Sequence, residues 1–167
     1  MSLDTIVARL QNMHPFNIYQ VTAAGDAEPW WEVTGAEVVP HVVLNENDIT
    51  EQVQAISAQI MHWGRLCSQC KRVWEIEERK YRIWRDSYSL ELLRAGEEDK
   101  TKKMTEKVRD MTVRQHPEYT AHYIKTERAE EAYNAASAIL DGFRAKKDAI
   151  KAAVYRSNES GAAILKV

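Results

Sequence analysis

Residues that break or crosslink helices are scarce in this chain. Its 167 residues include only four prolines, six glycines and two cysteines. No run of about 18 apolar residues is present, and a helix needs roughly that many to cross a bilayer, so we expect no membrane contact. The first residues lack a basic segment followed by an apolar core, so we expect no secretory signal. Because so few cysteines favour a reducing compartment, we expect the protein in the cytoplasm.

Motifs for phosphate cradling and catalysis are also absent. The sequence contains neither a GxxxxGK[ST] loop nor a GxGxxG loop. The histidines do not show the HExxH spacing of a metal-binding helix; they stand at His14, His41, His62, His116 and His122. Nothing in the sequence indicates a nucleophilic triad. We therefore expect no enzyme activity and no cofactor.

The two cysteines form a CxxC pair, Cys67 and Cys70, with His62 nearby. A structural zinc site takes four ligands, usually from two separated pairs, and the sequence has no second pair. Both cysteines also fall on the apolar stripe of a long helix, where thiols serve as small core residues. We favour buried core thiols and expect no metal. A zinc-dependent enzyme using these three residues is the least favoured alternative.

Residues 49–88 carry apolar side chains at alternating spacings of four and three. Such a stripe, with a mean period of about 3.5 residues, stays on one side of a helix only if the helix wraps a partner. No proline interrupts it, and Gly64 is the only glycine between residue 49 and Gly96. We predict one helix across roughly 45 residues. The stripe consists of two sets: Ile49, Ile56, Trp63, Cys70, Glu77 and Trp84, and Val53, Ile60, Cys67, Trp74, Tyr81 and Tyr88.

A second heptad stripe covers residues 117–157, and its apolar side is rich in alanine. A charged connector at 97–103 and a short helix at 106–115, capped by Thr105, separate the two long helices. Because the connector is too short for parallel pairing, we expect an antiparallel arrangement. The predicted fold is all-α: a long, coiled-coil-like antiparallel helical hairpin with a short connecting helix. The hairpin leaves apolar residues uncovered, so we expect self-association.

The first 47 residues are predicted to form a small, irregular N-terminal head. Apolar residues at helical spacing after Ser2 or Asp4 predict a short helix that ends before Pro15. The segments 31–33 and 38–44 predict extended structure or a small hairpin. We divide the chain into three parts: the head at 1–47, the helical hairpin body at 48–157 and a flexible C-terminal tail at 158–167.

Charge is distributed unevenly between the head and the body. The net charge is −2, yet residues 1–51 hold eight acids and one base, a net −7, and the remainder has a net +5. A polyanion can therefore be attracted to the body and repelled by the head. A solvated surface of mixed sign is the simpler interpretation of the charge alone.

The sharpest local signal is the segment 71–85, which combines six basic side chains with three aromatic rings. Basic side chains neutralise phosphates and rings stack on unpaired bases, so this combination is typical of single-strand binding. The rings Trp74, Tyr81 and Trp84 lie on the stripe, so core packing is the favoured role for them. Most of the bases project away from the stripe. The predicted DNA-binding residues are Lys71, Arg72, Arg79, Lys80, Arg82 and Arg85.

These features resemble UvsY-type recombination mediators of tailed phages across residues 45–156. The matching residues are Trp63, Lys71-Arg72, Ile76-Glu77, Asp86-Ser87-Tyr88, Met104-Thr105-Glu106-Lys107, Tyr119 and the segment 143–150. Residues 1–44 depart from the short start that is usual in the family.

The resemblance implies a ring-like homo-oligomer that binds single-stranded DNA. Such a mediator helps to load a RecA-like recombinase onto strands covered by single-strand-binding protein. The family's basic contacts would fall on Lys80, Arg82 and Arg85. The alternative is a structural or adaptor coiled coil, such as a virion component or scaffold, whose basic face pairs with an acidic protein and binds no DNA.

Overall fold

A computed structural model describes residues 2–98 and 105–159, and within them the chain is mostly helical. The elements, in chain order, are α1 (Leu3–Gln11), β1 (Phe16–Val21), β2 (Ala27–Val33), α2 (Gly35–Val42), α3 (Ile49–Glu98), α4 (Glu106–Gln115) and α5 (Pro117–Glu159). The broad all-α class is supported, with one small sheet added. Most of the predicted connector and tail lies outside the described residues. None of the helices in this described part combines the length and the apolar content that a bilayer crossing requires.

α3 is a single helix of 50 residues, about 75 Å long at the usual rise per residue. A 3₁₀ turn at Glu46–Asp48 leads into it, and the Asn45 side chain accepts a hydrogen bond from the Asn47 amide. The first predicted set is buried from Ile49 to Glu77, whereas most of the second set is half-buried. The first set therefore marks the centre of the buried face of α3.

α5 packs along α3, and ring pairs trace the contact. The pairs are Trp63 with Phe143, Trp74 with Tyr133, and Tyr81 with Tyr119. Later residues of α3 face earlier residues of α5, so the two helices run in opposite directions. Small buried side chains on α5 allow a close approach; they include Ala129, Ala132 and Ala136.

α4 leads into α5 as the sequence predicted. The Thr105 hydroxyl accepts a hydrogen bond from the Val108 amide and caps the helix. α4 ends at Gln115, and α5 begins at Pro117, a position where a helix leaves the backbone amide without a partner in any case. The predicted short helix at 106–115 is confirmed.

The head contains one helix more than predicted. α1 is confirmed, and the Ser2 hydroxyl accepts a hydrogen bond from the Thr5 amide at its start. β1 and β2 pair as an antiparallel hairpin with an irregular step at Ile18/Tyr19, and β2 includes the predicted extended segment 31–33. The turn between the strands contains Gly25 at a φ of 82°, a conformation that glycine adopts readily.

The prediction of extended structure is wrong for residues 38–42, because a reciprocal cap starts a helix at this place, and the chain becomes extended only at Val43. Thr34 accepts a hydrogen bond from the Glu37 amide, and the Glu37 carboxylate accepts one from the Thr34 amide. Val38 and Val42, one helical turn apart, then lie on the same face of α2 and are buried. The valines favour a strand locally, but the cap and this burial favour the helix.

The head shares one hydrophobic core with α3 and α5, to which Leu10, Ile18, Val42, Ile139 and Phe143 belong. Three side chains of the body that are 50 or more residues from their partners in sequence also donate hydrogen bonds to carbonyl oxygens of the head. These bonds join Gln69 Nε2 to Tyr19 at 2.6 Å, Lys80 Nζ to Gly25 at 2.9 Å and Lys146 Nζ to His41 at 2.8 Å. We call these three bonds the head tethers. Apolar burial and the head tethers together hold the head on the helical pair.

Two glycines permit the close approach of the head helices. A Cβ atom on Gly35 would lie 2.1 Å from the Leu10 carbonyl oxygen. A Cβ atom on Gly142 of α5 would lie 3.0 Å from Val42 Cγ1. Because contacts this short are repulsive, a side chain at Gly35 would push α1 and α2 apart.

Candidate nucleic-acid interface

Five of the six predicted DNA-binding bases are exposed on α3, away from its buried face. Helical spacing spreads them along a length of about 21 Å. We call this set the outer basic side; its members are Lys71, Arg72, Arg79, Arg82 and Arg85. An exposed set of bases on one side of a helix is able to neutralise phosphates.

Acidic side chains are interleaved with the outer basic side. Lys71 Nζ lies 3.8 Å from a Glu75 carboxylate oxygen, and Arg82 pairs with Glu78. Both are exposed pairs one helical turn apart, and such pairs contribute only about 0.3–0.5 kcal/mol. A phosphate oxygen can therefore replace the carboxylate oxygen at a small cost in free energy.

The arginines of the outer basic side differ in how tightly they are held. Arg85 donates from Nη2 and Nε to Asp86 Oδ1 at 2.9 and 3.1 Å. Hydrogen bonding to Asp86 raises the pKa of the Arg85 guanidinium, although partial burial opposes the effect. Arg72 and Arg79 make no ion pair with any residue that the structure describes. These two arginines therefore offer the least compensated charge.

Lys80, the sixth predicted base, lies on another side of α3 and faces the head. Besides its tether to Gly25, Nζ lies 3.0 Å from Asp26 Oδ1 and 3.3 Å from Glu77 Oε1. Partial burial lowers the pKa of Lys80, but hydrogen bonds to Asp26 and Glu77 outweigh it, so the pKa is raised. Its charge is thus already matched by two carboxylates. A DNA contact by Lys80 stays a prediction, in competition with this structural role.

The rings of the basic segment take part in helix packing. Trp74 stacks on Tyr133 with ring centroids 5.6 Å apart, and Trp84 stacks on His122 at 5.3 Å. Tyr81 belongs to the same contact between α3 and α5. All three rings of the segment are half-exposed. They therefore pack as the stripe predicted, and part of each ring remains exposed to solvent.

The CxxC pair lies at the packed face of α3. Cys70 is buried in the core and Cys67 is half-buried against it, and both are free thiols. Burial raises the pKa of Cys70 to about 11 and also raises the pKa of Cys67. Both therefore keep their protons at neutral pH, whereas zinc binds thiolates. In residues 2–98 and 105–159, no three His, Cys, Asp or Glu side chains are grouped so as to hold a metal ion.

α4 adds two arginines that the sequence did not connect with Arg85. Arg109 and Arg114 line a cavity of about 300 Å³ together with Arg85, Tyr81 and Tyr119. We call it the arginine cavity. The predicted short helix was the feature of the sequence that could have connected these arginines with Arg85, because a helix joining two long neighbours packs against their ends. The exact partner of each α4 side chain depends on how α4 is rotated, and the sequence does not state this.

Comparisons with known proteins assign neither a family nor a function to the chain. No family model matches the chain, and neither a curated protein nor a solved structure matches it. The resemblance to recombination mediators therefore stays a prediction from the sequence. The candidate interface rests on the geometry and charge of the outer basic side and the arginine cavity.

Proposed function

We propose that the protein is a non-enzymatic recombination mediator of the phage type, which binds single-stranded DNA in the host cytoplasm. The outer basic side supports the proposal, since five exposed bases lie within about 21 Å on one helix. Basic side chains on a rigid surface neutralise phosphates, the main source of sequence-independent affinity. Binding of this kind needs neither a cofactor nor a metal.

The helical body is the scaffold in this proposal. α3, α4 and α5 act as one long antiparallel hairpin. Large apolar side chains are exposed on its distal part, at Ile83, Leu90, Val108 and Met111. A second copy that covers them removes apolar surface from water, which is worth about 25 cal/mol per Å². We therefore include homo-oligomerisation in the proposal.

Oligomerisation makes a weak basic side effective. Each protomer offers a short set of bases with interleaved acids, so one copy binds a strand weakly. A closed assembly presents several outer basic sides to one strand, and each contact after the first is then intramolecular. Transfer of the strand from single-strand-binding protein to a RecA-like recombinase completes the proposal, and this step rests on the resemblance alone.

The proposal is tested by replacing Arg72 and Arg79 together, as Arg72→Gln with Arg79→Gln. We expect affinity for an oligothymidine without terminal phosphates to fall about tenfold at low salt. The slope of log affinity against log salt should flatten by roughly 1.4, because two phosphate contacts are lost. Fluorescence polarisation measures both quantities.

The matched control is Arg144→Gln with Lys147→Gln, which removes the same charge from exposed positions of α5. We expect the control to change affinity less than about twofold. An affinity that is unchanged in the Arg72 and Arg79 variant, or that falls equally in the control, would contradict strand binding by the outer basic side.

A structural or adaptor coiled coil is the second candidate, and the interleaved acids favour it. Glu75, Glu78 and Asp86 each pair with a base of the outer basic side and reduce its net charge. An adaptor would bind an acidic protein and no oligothymidine. The same titration separates the two candidates, and native mass measurement with and without oligothymidine shows whether the strand joins the assembly.

A further inference from the structure

Three arginines from two helices meet in the arginine cavity. Arg85 comes from α3, whereas Arg109 and Arg114 come from α4. Two acids, Asp86 and Asp110, also line the cavity, so its charged groups have an excess of one base. The cavity therefore favours an anion over a cation.

Arg109 carries the most specific signal in the cavity. Its Nε atom is buried and has no hydrogen-bond partner among the residues that the structure describes. Buried donors are almost always satisfied, and an arginine side chain cannot remove the problem by losing its proton. The Nε–H group therefore has no acceptor among the described residues and is available to a ligand, and a fork of N–H groups suits the paired oxygens of a phosphate.

Arg85 is held in place before any ligand arrives. Its guanidinium carbon lies 6.0 Å from the centre of the Tyr81 ring, and both of its described hydrogen bonds end on Asp86 Oδ1. Such a side chain loses little conformational freedom on binding. Arg114 is exposed and supplies a third guanidinium.

The lining residues and the volume of the cavity indicate which chemical groups the ligand carries besides a phosphate. Tyr81 and Tyr119 line it, so ring carbon atoms lie beside the arginines in a lining that is otherwise mostly polar. A volume of about 300 Å³ is at the lower end of the usual range for small-ligand sites, roughly 300–1,000 Å³. Phosphate on the arginines and a sugar or base on the rings together make a nucleotide.

We propose that the arginine cavity binds the phosphate group of a nucleotide, with Arg109, Arg114 and Arg85 as its donors. The phosphate comes either from a free mononucleotide or from the backbone of a DNA strand, and the binding chemistry is the same. The site goes beyond the proposed function because Arg109 and Arg114 are not part of the outer basic side, and it stands without that function.

The experiment titrates the full chain with thymidine 5′-monophosphate, inorganic phosphate and thymidine in separate calorimetric arms. We expect saturable binding of the two phosphates and none of thymidine. Arg109→Gln and Arg114→Gln should each weaken thymidine 5′-monophosphate about tenfold, as the loss of one charge-assisted hydrogen bond implies. Lys107→Gln is the matched control, since it removes the same charge from α4 without lining the cavity. It should weaken binding less than about twofold.

Three results would overturn the proposal: no saturable binding of either phosphate, equal binding of thymidine, or equal weakening by Lys107→Gln. Circular dichroism checks the folding of each variant, and the exposed Arg114 decides the outcome if Arg109→Gln does not fold. A fourth arm uses oligothymidine without terminal phosphates. If the mononucleotide binds and the oligonucleotide does not, the cavity is confirmed and strand binding fails. The reverse result, with affinity for the oligonucleotide unchanged in Arg109→Gln and Arg114→Gln, overturns the cavity and leaves strand binding intact.

Discussion

The pair formed by α3 and α5 differs between its two halves. In the head-covered half, which is α3 up to Lys80 and α5 from Ala129, aliphatic side chains are buried beneath α1, α2 and the sheet. In the distal half, which is α3 from Tyr81, α4 and α5 up to Arg128, half-exposed rings and exposed aliphatic side chains dominate. One half buries its apolar side chains under the head, and the other leaves rings and aliphatic side chains accessible to solvent.

The difference shows that two helices bury a stripe, whereas a third layer is needed to bury its flanks. Leu66 and Val73 belong to neither heptad set of α3, yet both are buried because the head covers that flank. The same heptad position continues as Lys80 and then Ser87. The apolar character of this flank thus ends where the head ends.

The largest expected effect comes from comparing two tryptophans. Trp63 packs between Trp31 of the head and Phe143 of α5, with ring centroids 5.9 and 6.4 Å away. We expect Trp63→Ala to lower the free energy of unfolding by about 3–5 kcal/mol, because it opens a cavity in the core. Trp84→Ala removes a half-exposed ring of the distal half and should cost about 1–2 kcal/mol. Urea denaturation followed by circular dichroism measures both.

Equal losses of stability in the two variants would contradict the difference between the halves, since they would mean that both rings are equally well packed. A loss of stability in Trp84→Ala that depends on protein concentration would instead identify what covers the distal half. That result would mean that a second copy, rather than the head, covers the distal half.

A smaller effect is expected at the boundary between the halves. Lys80→Ala removes the tether to Gly25 and leaves the Glu77 carboxylate, which is 5% exposed, without its base. We expect the free energy of unfolding to fall by about 1–2 kcal/mol, because Lys80 itself is partly solvated. Denaturation of this variant and of Arg82→Ala, the exposed control, measures the difference.

Arg82→Ala should change stability by less than about 0.5 kcal/mol. Adding Glu77→Gln to Lys80→Ala should recover part of the loss, because the uncompensated charge is removed. If Lys80→Ala is as stable as Arg82→Ala, Lys80 is not a structural residue and its predicted DNA contact gains support.

The smallest effect is a dependence on pH inside the head-covered half. Burial lowers the pKa of Lys146 below its ordinary value of 10.5. The unfolded chain therefore binds more protons than the folded chain between the two pKa values, so stability rises with pH across that window. Relative to Lys146→Met, the wild type should gain stability as the pH rises towards 10.5. A flat difference between the two proteins across this range would show that burial does not perturb Lys146.

Local rules account for the parts of the fold that the sequence predicted. The heptad period sets the buried face of α3, the Thr105 cap sets the start of α4, and Pro117 sets the start of α5. The exposure of Arg72 and Arg79 also follows from periodicity, because both lie far from the stripe. The outer basic side was therefore predictable from spacing alone.

The remaining features depend on contacts between segments far apart in the chain. α2 was mistaken for extended structure because its valines favour strands, while the capping box and the face buried against α5 decide the outcome. The hydrogen bond from Lys80 depends on the position of the turn at Gly25 relative to α3. The arginine cavity depends on the rotation of α4 about its own axis. Neither position follows from the residues next to it in sequence.

The two partners in each head tether should differ in how freely they can be substituted during evolution. On the head, the acceptors are backbone carbonyl oxygens, which every amino acid carries, so the identities of Tyr19 and His41 are free to drift without loss of docking. On the body, the donors are specific side-chain groups, which few substitutions reproduce. Distant homologues should therefore retain a donor at the Gln69 and Lys146 positions long after the head has become unrecognisable.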